Sequence, residues 1–482
     1  MQFNSYVFIL LFLPITLLLY FLTNKIHSQI GKLVLVIASI YFYAYLDWST
    51  LIVFGISLAI NYVFSRIVKK TGRGKKFFLA VPIVVNVGLL LYFKYINFAI
   101  TNINQLFGAD WSLKELVLPL GISFFTFQQI AYVVAIYKNE IEHDSLLDYL
   151  AFILYFPKIL MGPLMDPVDF ITQLNDKSRK KINWDNLAQG VKIFCFGLFK
   201  KVMLADVFAG AVSWGFSNME IATAADWILV MLFYTFEIYF DFSGYSDMAV
   251  GASLMLNIQL PINFDSPYKA LSIRDFWKRW HISLTRFFTK YIYIPLGGSR
   301  KGKLLTYVNT IIVFLISGLW HGANWTYILW GAVFGVLMVA DRICEKVIAK
   351  VIAPVRWVAT FGIINVLWLL FRSETIEQWK QILGTVVKFQ NTTISEGLLE
   401  KFVLTESSFL NDVLHLNWFT GNIRGFWMLV YLLVGFIICL IPENNYKNIK
   451  KLTVVSMILA FVAFIWGVIC LSGESVFVYF NF

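Results

Sequence analysis

The stretch LISGLWHGANWTYILWG, residues 315–331, places a histidine between two apolar segments. The flanking segments, near 304–320 and 325–342, approach the length of about 20 apolar residues that a spanning helix needs. Ionisable side chains are costly at membrane depth and by default mark a functional site. His321 is therefore a candidate functional residue. On a continuous helix Asn324 would share the face of His321. The alternative to a functional role is that the two side chains form structural hydrogen bonds between helices.

The composition of the whole chain supports a membrane protein. Of 482 residues, 59% are hydrophobic and 14% are charged, against about 25% charged residues in a typical soluble domain. The net charge of +11 falls mainly in short loops between apolar segments. This pattern is typical of cytoplasmic anchoring rather than nucleic-acid binding. We expect one membrane domain over residues 1–482, with the lipid bilayer as a partner and no nucleic acid.

Apolar segments recur along the chain and predict an all-α polytopic protein with roughly a dozen crossings. The stretch 149–165 contains Pro157 and Pro163, which would disrupt a lipid-facing helix, so we predict a re-entrant segment there. The candidate spans lie near 6–23, 32–47, 49–65, 77–100, 116–137, 187–215, 226–256, 304–320, 325–342, 351–371, 426–441 and 452–471.

The distribution of Lys and Arg predicts the orientation of the chain. The loop 66–76, the run 177–181 and the region 269–303 are strongly basic, so the positive-inside rule assigns them to the cytoplasm. The stretches 101–114 and 372–425 have mixed or acidic charge and are expected outside.

A second stretch with potential chemistry is RDFWKRWHISLTRFFTKYIYIPL, residues 274–296. Helical spacing would place Trp277 and His281 on an aromatic face, with Lys278 on the opposite, basic face. An in-plane helix that meets anionic lipid headgroups would have the same pattern. His281 lies among the aromatic residues rather than on the charged face, which makes it a second candidate.

A third cluster, YFDFSGYSDMAVG at residues 239–251, places two carboxylates in a long apolar segment. Asp241 and Asp247 are six positions apart and would lie on different helix faces. This spacing disfavours a carboxylate pair that shares one proton. It favours lining of a polar cavity or structural pairing with Lys or Arg.

Motifs for other chemistries are absent from the sequence. HExxH, CxxC and GxSxG do not occur, and the four cysteines have no metal or redox spacing. We therefore expect no metal site. Three further histidines, His27, His143 and His415, are expected to be solvated in loops.

These motifs resemble the membrane-bound O-acyltransferase family, and within it the bacterial branch that acetylates polysaccharides such as alginate. The D-alanyl transfer proteins of teichoic acid synthesis are a more distant match. The segment MGPLMDPVDF, residues 161–170, departs from the family pattern at Asp166. The resemblance rests on FNSYVFILLFLPITLLLYF, LPLGISFFTFQQIAYVVAIY, FDFSGYSDMAVG, INFDSPYKALSIRDFWKRWHISLTRFFTKYIYIPLGG, SGLWHGANWTYILWG and FVYFNF.

The resemblance implies a ring of about 11–12 transmembrane helices around a thin core, with re-entrant and in-plane helices. It also implies a multi-pass protein of the bacterial cytoplasmic membrane that moves an acetyl group from a cytosolic donor, acetyl-CoA, without a bound cofactor. The acceptor would be a hydroxyl of an extracytoplasmic polysaccharide or glycan, or a separate extracytoplasmic acetyltransferase. The family histidines fall on His321 and His281.

As a hypothesis, His321 is the general base and His281 orients the thioester or stabilises the oxyanion. Trp320 and Asn324 are candidates for shaping that site. The alternatives are D-alanyl transfer from a carrier protein and a transporter in which the histidines relay protons. Further candidates for substrate contacts are Trp277, Arg274, Lys278, Asp241, Ser243 and Tyr245.

Overall fold

The structure is a computed structural model that describes every residue except 73, 142–143, 404–424, 445, 448, 472–476 and 478–482. The described residues form helices and turns and contain no strand, which confirms the all-α prediction. The first helices are α1 (Leu13–Ile26), α2 (Ser28–Leu46), α3 (Leu51–Lys70), α4 (Lys75–Leu90), α5 (Ile96–Phe107), α6 (Ile122–Tyr137), α7 (Leu146–Leu154), α8 (Pro167–Asn175), α9 (Trp184–Phe199), α10 (Asp206–Ser217) and α11 (Ala224–Met255). They are followed by α12 (Ile273–Arg279), α13 (Ile282–Phe288), α14 (Lys303–His321), α15 (Trp325–Ile343), α16 (Glu345–Ile348), α17 (Ala353–Arg372), α18 (Ile376–Lys388), α19 (Glu396–Leu399), α20 (Phe426–Leu440) and α21 (Val454–Ile469).

Short π-helical and 3₁₀ turns extend or connect these helices. The π-helical turns are Val7–Phe12, Leu91–Tyr95, Lys200–Ala205 and Thr289–Tyr293, and the 3₁₀ turns are Lys177–Lys180, Pro267–Lys269 and Glu400–Phe402. The turn Leu91–Tyr95 joins α4 and α5 into one apolar helix, Lys75–Phe107.

Membrane-length helices account for most of the predicted spans. Within the described ranges, seven helices are long and apolar enough to cross a bilayer, and three more are apolar but shorter. The seven are Val7–Ile26, Ser28–Leu46, Leu51–Lys70, Lys75–Phe107, Lys303–His321, Trp325–Ile343 and Ala353–Arg372, and the three are Ile122–Tyr137, Phe426–Leu440 and Val454–Ile469. The other predicted spans, 187–215 and 226–256, are also helical but carry buried lysines and carboxylates.

Helix α11 forms the centre of the molecule. Every residue from Phe233 to Met255 is buried. Its glycines permit close packing against α9: a Cβ built at Gly251 would lie 2.6 Å from the Gly190 carbonyl oxygen. One built at Gly197 would lie 2.7 Å from the Gly244 carbonyl oxygen. Small residues let membrane helices approach closely, so these glycines position the polar segment of α11 inside the protein.

The basic loops gather at one end of the molecule. Asp144 forms ion pairs with Arg66 and with Lys69, at 2.9 Å in the second case. Burial alone would raise the pKa of Asp144, but hydrogen bonds from Arg66, Tyr132 and Lys69 outweigh burial and lower the pKa to about 2. Lys290 contacts both Asp166, at 2.6 Å, and Glu140, at 3.5 Å. The positive-inside rule predicts that this end, the cytoplasmic end, faces the cytoplasm.

The stretch 149–165 enters and leaves the protein on the same side, as predicted. Ser145 begins α7 with a capping box to Asp148, close to the Asp144 ion pairs. The helix ends at Leu154, before Pro157, and residues 151–165 are all buried. The chain returns to the cytoplasmic end at Asp166, which contacts Lys290. Broken backbone of this kind is tolerated at membrane depth only where protein surrounds it.

The prediction of one amphipathic helix over 273–296 is wrong. Helix α12 ends at Arg279, and His281 has a left-handed backbone with φ of +46° before α13 begins. Main-chain hydrogen bonds to a neighbouring segment hold the break, from Ile282 N to the Asn263 oxygen at 3.0 Å and from Asp265 N to the Arg279 oxygen at 2.9 Å. The residues assigned to one face therefore belong to two short helices.

Candidate active site

His321 is the last residue of α14 and is buried among aromatic rings. Its imidazole centroid lies 5.0 Å from the ring of Phe371, 5.3 Å from Trp330 and 4.8 Å from Trp320. Gly322 ends the helix in an extended conformation. The apolar hairpin α14–α15 thus holds a histidine at the point where its backbone turns.

The position of Asn324 differs from the prediction. Because α14 ends at His321, Asn324 does not continue the helix and does not share the face of the histidine. It is the N-cap of α15, where its side chain accepts a hydrogen bond from Thr326 N at 3.0 Å. Asn324 also donates to the Glu374 carbonyl oxygen at 2.8 Å. These bonds fix the turn that follows the histidine.

His281 lies at the break between α12 and α13 and is also buried. Its imidazole packs 4.7 Å from the ring of Phe242 and 6.1 Å from the ring of Trp320. Neither ring nitrogen of His281 has a hydrogen-bond partner among the residues that the structure describes. Trp320 therefore lies between the two candidate histidines, and the sequence-predicted group of His281, Trp320 and His321 forms one cluster.

A cavity of about 560 Å³, the outer cavity, opens between the loops at the end of the molecule opposite the basic loops. Predicted residues Asp241 and Asn324 line it, and Asp241 pairs with Lys201 at 2.7 Å. A smaller cavity of about 140 Å³ is lined by Trp320 and His321. Lys94 and Leu118 line both cavities. The outer cavity thus approaches His321 across these two side chains.

A second large cavity, of about 810 Å³, opens at the basic end. Its lining includes the cations Arg179, Arg286 and Lys290. Partial burial lowers the pKa of Lys290, but the hydrogen bond to Asp166 and the nearby Glu140 carboxylate outweigh burial and raise it above its ordinary value. Ser283, two residues after His281, also lines this cavity. This cavity, the cytoplasmic cavity, therefore reaches the start of α13, directly after His281.

Several sequence candidates lie away from the cluster. Arg274 pairs with Asp341, at 3.2 Å, and with Glu345, at 3.0 Å. Lys278 is exposed and Ser243 is buried in α11, and neither lines one of the described cavities.

Two aromatic candidates pack within the core. The ring of Tyr245 stacks 4.8 Å from that of Phe3. Trp277 contacts the cluster indirectly: its ring lies 5.6 Å from Trp330, which in turn packs on His321.

Asp241 and Asp247 of α11 each pair with a lysine, which is one of the two arrangements that the sequence favoured. Asp241 pairs with Lys201, and Asp247 pairs with Lys200 at 2.7 Å. The two acids do not share a site. Among the described residues, no group of three or more His, Cys, Asp or Glu residues could hold a metal ion.

The sequence interpretation missed several charged residues beside the site. Lys94, Glu237 and Arg372 line the outer cavity. Lys94 interrupts an apolar span, so the intramembrane rule that singled out His321 applies to it equally. Of the other histidines, His27 caps α2 by accepting a hydrogen bond from Gln29 N. His143 and His415 lie outside the described residues.

Residues 79–372 match the model of the membrane-bound O-acyltransferase family, so the chain belongs to this family of membrane acyltransferases. A peptidoglycan O-acetyltransferase of Helicobacter pylori is 36% identical over 100% of this chain and 97% of its own length. An alginate O-acetylase of Pseudomonas aeruginosa is 36% identical over 82% of this chain and 76% of its own. A teichoic acid D-alanyltransferase of Streptococcus thermophilus is 28% identical over 64% of this chain and 71% of its own. The chain is a multi-pass acyltransferase of the bacterial cell membrane.

Proposed function

We propose that this acyltransferase moves an acetyl group from acetyl-CoA, bound at the cytoplasmic end, to a hydroxyl presented from the outer end. The observation that carries the proposal is the approach of two cavities from opposite ends toward His281, Trp320 and His321. The relatives named as acetylating peptidoglycan and alginate support a glycan hydroxyl as the acceptor. An extracytoplasmic transferase that passes the group on would present a hydroxyl in the same way.

The cytoplasmic cavity supports a phosphate-bearing donor. Arg179, Arg286 and Lys290 line it, and cationic side chains are the usual protein partners of phosphate groups. Coenzyme A carries phosphates at one end and its thioester at the other. A donor anchored by these cations would extend its acyl end toward the turn at His281.

The outer cavity supports a polyhydroxy acceptor. Its walls combine cations such as Arg372 with acids such as Glu237 and with the amide of Asn324. Hydroxyl groups both donate and accept hydrogen bonds, so a sugar suits a lining that offers both kinds of partner. The acceptor hydroxyl would reach His321 past Lys94 and Leu118.

In the proposed mechanism, a ring nitrogen of His321 accepts the proton of the acceptor hydroxyl as its oxygen attacks the thioester carbonyl carbon. Negative charge then develops on the carbonyl oxygen, where an N–H of His281 can stabilise it. The tetrahedral intermediate collapses with cleavage of the carbon–sulfur bond. The thiolate takes the proton from His321, which leaves an ester, a free thiol and the histidine in its starting state.

The test is turnover by the protein reconstituted in lipid, with labelled acetyl-CoA and with muropeptides and alginate oligomers offered in parallel. We expect ester formation by the parent and a loss of about 10²–10⁴-fold in His321→Ala, the usual contribution of a general base. His27→Ala, which changes an exposed histidine in a loop, is the matched control and should retain parental turnover. Equal turnover in His321→Ala and the parent would refute the mechanism.

D-alanyl transfer from a carrier protein is the second candidate, supported by the relative named as a teichoic acid D-alanyltransferase. The same reconstituted protein can be given acetyl-CoA or a D-alanyl carrier protein. Transfer from acetyl-CoA alone is the expected result. A strict requirement for the carrier would exclude acetyl-CoA as the donor.

A further inference from the structure

A π-helical turn, Leu91–Tyr95, directs two donors at the end of the helix that carries His321. Lys94 Nζ donates to the carbonyl oxygens of Trp320, at 2.6 Å, and of His321, at 3.1 Å. The hydroxyl of the next residue, Tyr95, donates to the Leu319 carbonyl oxygen. The last three carbonyl groups of α14 are thus bonded from one turn of a neighbouring helix. Single π-helical turns within α-helices often occur at functional sites.

The carbonyl groups at the end of α14 favour a cation as their partner. Lys94 forms no ion pair with a carboxylate among the residues that the structure describes, although it lies within an apolar span. An isolated ammonium group there is costly. The free carbonyl groups at a helix C-terminus carry partial negative charge, which favours a cation. The end of α14 therefore serves as the counter-charge of Lys94.

The location of Lys94 couples this contact to the site. Its side chain lines the outer cavity and also the small cavity that is lined by Trp320 and His321. After His321 the backbone leaves the helix at Gly322, so no further turn of α14 restrains the histidine. The bonds from Lys94 restrain the backbone of α14 at this point.

We propose that Lys94 is a positioning residue for His321: its ammonium group fixes the last two carbonyl groups of α14 and thereby the imidazole at the meeting point of the cavities. This inference rests on the proposed role of His321 as the general base. A loosened helix end would displace the imidazole from the acceptor hydroxyl. It would leave the binding of the donor in the cytoplasmic cavity unchanged.

The test compares Lys94→Met, Lys94→Arg and Lys76→Met in the reconstituted protein. Methionine keeps the apolar chain and removes the charge. Because a misplacement of about 1 Å can cost about 100-fold in rate, we expect Lys94→Met to lower kcat by about 10- to 100-fold with KM for acetyl-CoA within about threefold of the parent. Lys94→Arg should recover part of kcat. Lys76→Met changes an exposed lysine on the same helix and should behave as the parent.

Chemical modification of His321 gives a second readout that does not depend on turnover. Diethyl pyrocarbonate acylates accessible imidazoles, and peptide mass spectrometry reports the rate at His321. Local opening of a restrained segment increases such access, so we expect a rate at least about threefold higher in Lys94→Met and unchanged in Lys76→Met.

The possible outcomes separate the inference from the proposed function. Unchanged kcat in Lys94→Met, or a raised KM with kcat retained, would overturn the positioning role. If the parent fails to use acetyl-CoA, the proposed donor is wrong and the modification rates still decide the role of Lys94. Equal rates in Lys94→Met and the parent would then refute it.

Discussion

His281 is buried with both ring nitrogens lacking a hydrogen-bond partner among the described residues. A buried polar group without a partner costs about 1–3 kcal/mol. The histidine therefore lowers the stability of the free protein, and such a residue is suited to a partner that arrives with the substrate. His281 lies two residues before Ser283, which lines the cytoplasmic cavity, and this location suits a contact to the thioester.

Replacing His281 with Asn tests this role at the residue scale. Asn tolerates the left-handed backbone that His281 adopts, so the break between α12 and α13 should persist. We expect kcat to fall by about 100-fold or more, as when an oxyanion donor is removed, because the shorter Asn amide cannot place an N–H where the distal imidazole nitrogen lies. The unfolding temperature should stay within a few degrees of the parent. His27→Asn is the control. A large loss of thermal stability with retained kcat would indicate a purely structural histidine.

Variants of two exposed cations on neighbouring helices distinguish an effect on donor binding from an effect of general surface charge. Arg286 lines the cytoplasmic cavity, whereas Lys278 does not. Loss of one charge-assisted contact to a phosphate costs about 1.5–3 kcal/mol, so Arg286→Ala should raise KM for acetyl-CoA by about 10-fold or more. Lys278→Ala should leave KM unchanged. Steady-state kinetics at low and high salt would show this, and equal effects of the two variants would contradict the proposed phosphate site.

Residue-level prediction from the sequence is strongest where the physical rule is local. His321 and Asp241 were identified because a polar group inside an apolar segment is costly wherever it lies. Lys94 satisfies the same rule and could have been found. Glu237 and Arg372 line one cavity only because the middle of α11 and the end of α17 lie beside it, and that arrangement depends on contacts between segments far apart in the chain.

At the scale of elements, the break at His281 shows what local periodicity cannot capture. Helical spacing over 274–296 is good, yet hydrogen bonds to Asn263 and Asp265 stabilise a kink in its place. Those partners lie outside this stretch, in the segment that follows α11. A pattern read within one stretch contains no information about them.

The hairpin α14–α15 offers a test of how closely an element must pack to place the histidine. A Cβ at Gly318 would clash with the Tyr327 carbonyl oxygen and would lie 3.2 Å from the Gly331 Cα. Overpacking of this kind costs about 1–3 kcal/mol, so Gly318→Ala should lower the unfolding temperature and kcat together. Gly362→Ala, with nothing within 4 Å of its Cβ, should leave kcat unchanged and should not lower the unfolding temperature. If Gly318→Ala retained the parental kcat, close packing of α14 against α15 would not be needed to place His321.

At the scale of the whole molecule, hydropathy predicted the helices that face lipid better than those that do not. Helix α11, and the helical stretch that α9 forms with the π-helical turn Lys200–Ala205, are less apolar than a typical span because they carry buried charges. Some of these charges pair, as Lys201 does with Asp241. A charge that is neutralised inside the protein does not oppose insertion as an isolated one does. The count of 11–12 transmembrane helices therefore stays a prediction, because it depends on whether these inner helices cross the bilayer.

The proposed direction of acyl transfer requires that the basic end face the cytoplasm, and cysteine labelling can establish this orientation. Ser112 and Ser299 are exposed in loops at opposite ends, and Ser→Cys is nearly isosteric. The background would carry Cys344→Ser and Cys470→Ser, since the other cysteines are buried. In intact cells, an impermeant thiol reagent should label Ser112→Cys, and should label Ser299→Cys only after permeabilisation. The opposite pattern would reverse the positive-inside assignment, and with it the direction of acyl transfer, because the donor cavity would then open outside the cell.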